Sequence, residues 1–321
     1  MPIQKKGVKP TRVRGNDSKI DELKLGGLLR AIYHTSSEGV PESLSFCRNE
    51  ARSSASGDFY WARRGKKYAV IVVGDASGHN AYAAMISAVI GLKLNEIWRT
   101  EIQKSISGKH AKTQESAASA CGVALRLATL FQGVIAEATN TLRQMAAEAP
   151  RSRLLEAAIS TIEYDGYVAA FIVLNRDGVE IVSMGIPVFL VPSRGKPGKP
   201  IGEFSDFGVK QVSAKWTPDG MPSSETVPET ARFLVAMTDG ILKEGENKNR
   251  RYGMEGIERS LARSGTMKNP KHLVQHAFAA VEKHRKSARS SGKDDDRLIM
   301  AVDLGFWRKS LQKKSKKRKK G

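Results

Sequence analysis

Four acidic positions share one kind of context in this 321-residue chain. Asp58 opens the run in SGDFYW, Asp75 follows YAVIVVG, and Asp239 follows RFLVAMT and precedes Gly240. The triplet Asp294-Asp295-Asp296 stands directly before LIMAVDL. Each acid lies within two residues of the end of a run fit for a buried β-strand, and a sheet can gather such ends at one edge. Carboxylates gathered in this way repel one another and titrate upward unless a cation lies between them. Oxygen-only donors, with no matching His or Cys set, suit hard ions such as Mg2+ or Mn2+. Two such ions about 3.5–4 Å apart can activate a water and clamp a phosphate for in-line attack. Glycines beside Asp58, Asp75 and Asp239 let other atoms approach the backbone closely. Taken singly, each Asp also reads as a turn or helix-cap residue; four acids in parallel contexts point to a shared site.

Other chemistries fit the same residues less well. GDASGHN (74–80) resembles a nucleotide-binding glycine loop but lacks both GxGxxG and GKS/T, and Asp75 would aim negative charge at a phosphate. Ser77 comes one place too late for a GxSxG elbow. A metal-free pair of Ser77 and His79, two residues apart on a loop, has poor geometry for a hydrogen bond. His272, His276 and His284 form no HExxH pattern and read as a solvated helix face.

The elements that must position these acids are legible from periodicity. A strand pair is expected near 57–63 and 68–73, the second halting at Gly74. A helix from Asn80 to Ile97 is apolar on nearly every side in its first half, and a second long helix runs over about 116–148. The turn Asp165-Gly166 joins ISTIEY to YVAAFIVL as a hairpin, and VEIVSM and PVFLV continue it as a four-strand meander. A strand at 232–237, helices near 254–264 and 270–289, and a last strand at 298–304 complete the core. Tight hairpins make a largely antiparallel sheet, and two long helices inserted together favour stacked layers over βαβ alternation.

The net charge of +20 is unevenly placed. Residues 308–321 hold nine Lys/Arg and residues 1–14 hold five, with no acid in either stretch. The basicity therefore belongs mostly to two expected disordered ends, which can bind nucleic acid or anionic lipid without reading sequence. No apolar run approaches the roughly eighteen residues of a membrane helix, and Cys47 and Cys121 fit no metal spacing. A cytoplasmic protein is expected, with a basic arm and a short docking helix (18–34) in residues 1–44, a core over 45–305 and a Lys-rich tail over 306–321.

In order and spacing, four segments resemble the PPM/PP2C-type metal-dependent Ser/Thr phosphatases, in their bacterial SpoIIE/RsbU-like branch. SGDFYW is similar to the family's GGDxY, VVGDASGHNAYAAM to DVSGHGxxAA, AMTDGILKEGENKNRRYG to TDGxxE…FG, and KDDDRLIMAV to the terminal DDDxT strand. The resemblance implies an α+β fold, a four-layer α-β-β-α sandwich of two mainly antiparallel sheets, with two Mn2+ or Mg2+ ions at one end. It implies that Asp75 bridges the ions with the Ala76 carbonyl as a further ligand, Asp58 serves one ion, and Asp239 and Asp295 serve the other. Catalysis would run through water activated by the metals on phosphoserine or phosphothreonine, in a regulatory protein such as an anti-sigma-factor antagonist. The chain departs from the pattern at Asn80, Ile186, Arg297 and Leu298, and an arginine beside the acids is expected to compete for them. The alternative is a catalytically weak or inactive regulatory binder of the same fold, tethered to nucleic acid by its tail; a nucleotide binder rests only on the glycine spacing at 74–78.

Overall fold

A computed structural model describes residues 35–51, 56–65, 68–76, 81–102, 123–148, 167–175, 179–195, 230–244, 251–262, 264–288 and 295–310, with a few isolated positions between them. Nine strands among them form two sheets. The first orders β1 (Thr35–Glu38), β3 (Asp58–Arg64), β4 (Ala69–Ala76), β5 (Tyr167–Leu174) and β6 (Val179–Met184). The second orders β2 (Ser45–Glu50), β9 (Arg297–Asp303), β8 (Ala231–Met237) and β7 (Val188–Pro192). Every pairing is antiparallel except β1 with β3. This is the α+β architecture of two mainly antiparallel sheets that the sequence leads one to expect.

Alternation along the strands sorts the core into three apolar layers. Phe59, Trp61, Val70 and Val72 meet Ile86 and Ile90 of helix α1 (Ala81–Ile97) and Phe131 and Leu142 of helix α2 (Val123–Glu148). Their neighbours Tyr60, Ala62, Ile71 and Val73 turn to the other face and meet Leu234, Ala236, Met300 and Val302 of the second sheet. Beyond that sheet, Phe233, Val235 and Ile299 pack on Leu273, Phe278 and Val281 of helix α5 (Pro270–Ala288). Two shorter helices, α3 (Asp239–Lys243) and α4 (Gly253–Leu261), follow β8. With both faces covered, β4 is buried at every residue, which is why it reads as an almost unbroken apolar run.

Several expectations are corrected. The second strand does not halt at Gly74 but carries Asp75 and Ala76 within it. Gly74 lies beneath two aromatic rings: a Cβ there would stand 2.0 Å from Phe59 Cε1 and 2.3 Å from the Tyr167 hydroxyl. The expected Asp165-Gly166 hairpin falls on residues outside the described ones; β5 itself pairs with β4 over Tyr167–Leu174 and with β6 over Ala170–Leu174. Residues 160–166 themselves lie outside the described residues, as do the 18–34 segment and Ser77 to Asn80. The meander also breaks: Gly185, at φ 83°, and Pro187 turn the chain out of the first sheet, so β7 pairs with β8 in the second. Strand β1 joins the first sheet ahead of the expected boundary at 45. At the other end residues 304–310 are helical, not tail: Trp307 is buried and its indole N–H donates to the Asn175 carbonyl at 3.0 Å.

The close approach at Gly74 generates a stability test. Gly74→Ala must displace Phe59 or Tyr167 from a packed layer, and a loss of about 1–3 kcal/mol is expected in urea unfolding with an unchanged m-value.

Candidate functional site

Asp58, the first residue of β3, stands directly opposite Asp75 of β4 in the antiparallel register. Both belong to the face that looks toward the second sheet, and they are only 1% and 8% exposed. Opposed like charges on adjacent strands are unfavourable even at a surface. Here burial raises both carboxyls well above the ordinary range first of all. Asp75 and Asp296 push Asp58 further up, against a lowering hydrogen bond from Thr238. Asp239, Asp295 and Asp296 do the same to Asp75, against a lowering hydrogen bond with Asp58. Burial and mutual repulsion thus both disfavour the charged forms of this pair.

The second sheet delivers its groups to the same edge. Thr238, just past β8, donates its hydroxyl to Asp58 Oδ2 at 2.8 Å and accepts the Leu298 N–H at 3.0 Å. Asp296, just before β9, accepts the Gly57 N–H through Oδ2 at 2.9 Å. The Gly57 carbonyl accepts from Ala76 N–H at 3.2 Å and from the Ser87 hydroxyl of α1, which ties the start of β3 to the end of β4. Asp239 opens α3, and Lys243 one turn later donates to Asp239 Oδ2 while lying 3.8 Å from Asp295 Oδ2. Gly240 lets this helix start against β9: a Cβ would meet the Asp296 carbonyl oxygen at 1.8 Å.

The structure thus brings Asp58, Asp75, Asp239 and Asp295 to one edge, with Ala76 buried at the end of β4. Asp294, Ser77, His79 and Asn80 lie outside the described residues. Three further side chains enter the site beside the ligands that the resemblance implies: Asp296, Thr238 and Lys243. Asp296 shares the inward strand parity of Leu298 and is 3% exposed, whereas Asp295 is the more open of the two. Thr238 and Lys243 flank Asp239, the first as the Thr of the TDG segment and the second at the Glu position of TDGxxE. Ile186 is buried in the layer between the sheets.

Arg297 does not compete for the aspartates, contrary to expectation. Strand alternation turns it to the opposite face of β9 from Asp296, where it meets Glu50 at 2.6 Å, Glu282 at 2.6 Å and Glu244 at 3.2 Å. It clamps β2, β9, α5 and the end of α3 together behind the acid edge.

Does this edge suit a metal? Asp58 Oδ1 is buried with no hydrogen-bond partner among the described residues, and so is the Tyr167 hydroxyl, whose proton Asp75 and Asp58 help to retain after burial. Each orphaned group costs about 1–3 kcal/mol. The donor set is all oxygen and no Lys or Arg among the described residues pairs with Asp58 or Asp75, so the chemistry suits a hard cation. As placed, however, no three His, Cys, Asp or Glu among the described residues form a ready coordination group. Asp58 Oδ2, Asp296 Oδ2 and Asp239 Oδ2 are engaged by Thr238, Gly57 and Lys243, so the carboxylates would have to turn to surround an ion.

No protein-family model matches this chain, and no curated protein does. Among solved structures, the SiaA-PP2C domain of Pseudomonas aeruginosa aligns over 92% of this chain and 100% of its own, at TM-score 0.56 and 15% identity. RsbX in complex with magnesium aligns over 81% and 93% at TM-score 0.41 and 15% identity. The Ser/Thr phosphatase Stp1 from Staphylococcus aureus aligns over 84% and 97% at 0.43 and 15%. The first likeness shows that this chain has the fold of a PP2C-type domain.

Two measurements check the electrostatics. A carboxyl held above its unfolded value stabilises the fold while protonated and withdraws that stability as pH rises through the folded value. Metal-free protein is therefore expected to lose stability as pH climbs from about 4, and Asp58→Asn to melt higher than the parent near neutral pH in EDTA. On the opposite face, Arg297→Ala strands Glu244, whose side chain is 0% exposed, and an unfolding loss of about 3–5 kcal/mol should follow by denaturant titration.

Proposed function

We propose that this chain is a metal-dependent phosphoprotein phosphatase acting on phosphoserine or phosphothreonine. The observation that carries this reading is the buried Asp58–Asp75 pair at the sheet edge, with an orphaned carboxylate oxygen and no counter-cation from the described residues. The PP2C-type fold supports it.

Asp58, Asp75 with the Ala76 carbonyl, Asp239 and Asp295 would hold two Mn2+ or Mg2+ ions. When bound, such ions lower the pKa of water and neutralise phosphate charge. The protein's part is positional. Burial of Asp58 and Asp75 keeps water from screening the site. Thr238 orients Asp58 through Oδ2 and leaves Oδ1 available. Asp296 and Ser87 fix the Gly57 backbone from two different layers, so the strand carrying Asp58 cannot slide past the one carrying Asp75.

The motif resemblance points to a phosphorylated regulatory protein, such as an anti-sigma-factor antagonist, as substrate and to a place in partner-switching signalling. Among the described residues no helix is long and apolar enough to cross a membrane. A second reading, a catalytically weak regulatory binder, draws on Lys243 already pairing with Asp239.

Purified protein should hydrolyse p-nitrophenyl phosphate or phosphopeptides with Mn2+ or Mg2+. Asp75→Asn and Asp239→Asn should each reduce kcat/KM roughly 100-fold or more. Inert protein with both metals across a panel of phosphopeptides would discard the phosphatase reading.

A further inference from the structure

The acid edge has two unlike halves. On the Asp58–Asp75 half, both carboxyls are buried, a hydroxyl from Thr238 is the donor on Asp58, and no ammonium or guanidinium among the described residues pairs with either. On the Asp239–Asp295 half, the Lys243 ammonium donates to Asp239 Oδ2 and lies 3.8 Å from Asp295 Oδ2. Lysine and the first aspartate are four residues apart on α3, so the helix itself holds the pair in reach. The lysine and both acids are partly shielded, at 24%, 11% and 29% side-chain exposure, so solvent screens this pairing less than a surface ion pair. A divalent ion entering this half must displace the ammonium or share the carboxylates with it; an ion entering the other half meets no such rival among the described residues.

We infer that Lys243 is a built-in counter-ion of the Asp239–Asp295 half, which makes the two halves unequal: the first divalent cation binds at Asp58–Asp75, and the second binds weakly because it must break the lysine's ion pairs. This rests on the reading of the edge as a metal site and goes beyond it, by assigning an order and a governing residue to the binding steps. Lysine is well suited to the role. Its ammonium is a compact point charge on a flexible stem, able to hold the carboxylates and then swing away.

Mn2+ binding measures this without reference to turnover. Full-length protein stripped with EDTA and then desalted would be titrated with Mn2+ by calorimetry, with free Mn2+ followed by its EPR signal. One tight site is expected, with a second at least about tenfold weaker. Lys243→Met should tighten the second site by about tenfold or more and leave the first unchanged. Lys243→Gln serves as a second neutral variant should the methionine form fold poorly. Two equally tight sites in the parent would overturn the inference while leaving the metal-site reading intact. A second site unmoved in both variants would also overturn it. Absence of any Mn2+ binding to parent and variants alike would remove the metal-site reading and this inference together.

Discussion

Two carboxylic acids face each other across adjacent strands in the interior of this protein, and most of the surrounding structure is organised by that fact. A buried, opposed pair such as Asp58 and Asp75 opposes folding, since both burial and mutual repulsion disfavour the charged forms. It persists because three apolar layers, one between the sheets and one on each outer face, hold the strands in place regardless. The cost is a local reservoir of unfavourable charge at a rigid edge, the kind of arrangement that a cation relieves.

Rigidity at that edge comes from polar links between layers more than from the strands alone. Thr238 reaches from the second sheet to Asp58, Asp296 reaches back to the Gly57 amide, and Ser87 of α1 takes the Gly57 carbonyl. Three elements thus converge on two consecutive residues, Gly57 and Asp58. The Arg297 cluster supplies the complementary constraint behind the edge. One guanidinium answers three glutamates from β2, α5 and the segment after α3, with Glu244 wholly buried. Its geometric effect is to fix the start of β9, and with it the direction in which Asp295 and Asp296 point. Front and back of the same strand therefore serve opposite electrostatic tasks: acids gathered without a guanidinium on one face, acids satisfied by one on the other.

Much of this was legible in the order of residues. Apolar runs of the right length marked β3, β4, β5, β8 and β9, and the all-round apolar start of α1 announced a buried helix. The placing of an acid at each strand end was enough to nominate Asp58, Asp75, Asp239 and the triplet Asp294-Asp295-Asp296, from which the motif resemblance singled out Asp295. Local signals failed where long-range pairing decided. The run PVFLV looked like one more strand of a meander, but the turn at Gly185 and Pro187 sent it to the other sheet. Strands β1 and β2 are short and polar, and only their partners β3 and β9 make them strands.

The sequence by itself determined the elements, the acids at their ends and the parity of each strand, since alternation follows from backbone geometry and needs no partner. Only the tertiary structure decided which face was inside, and therefore that Asp296 turns toward Gly57, Arg297 turns away to three glutamates, and Lys243 leans on Asp239. Those assignments depend on contacts between residues up to 247 positions apart, as between Glu50 and Arg297, and no local pattern encodes them.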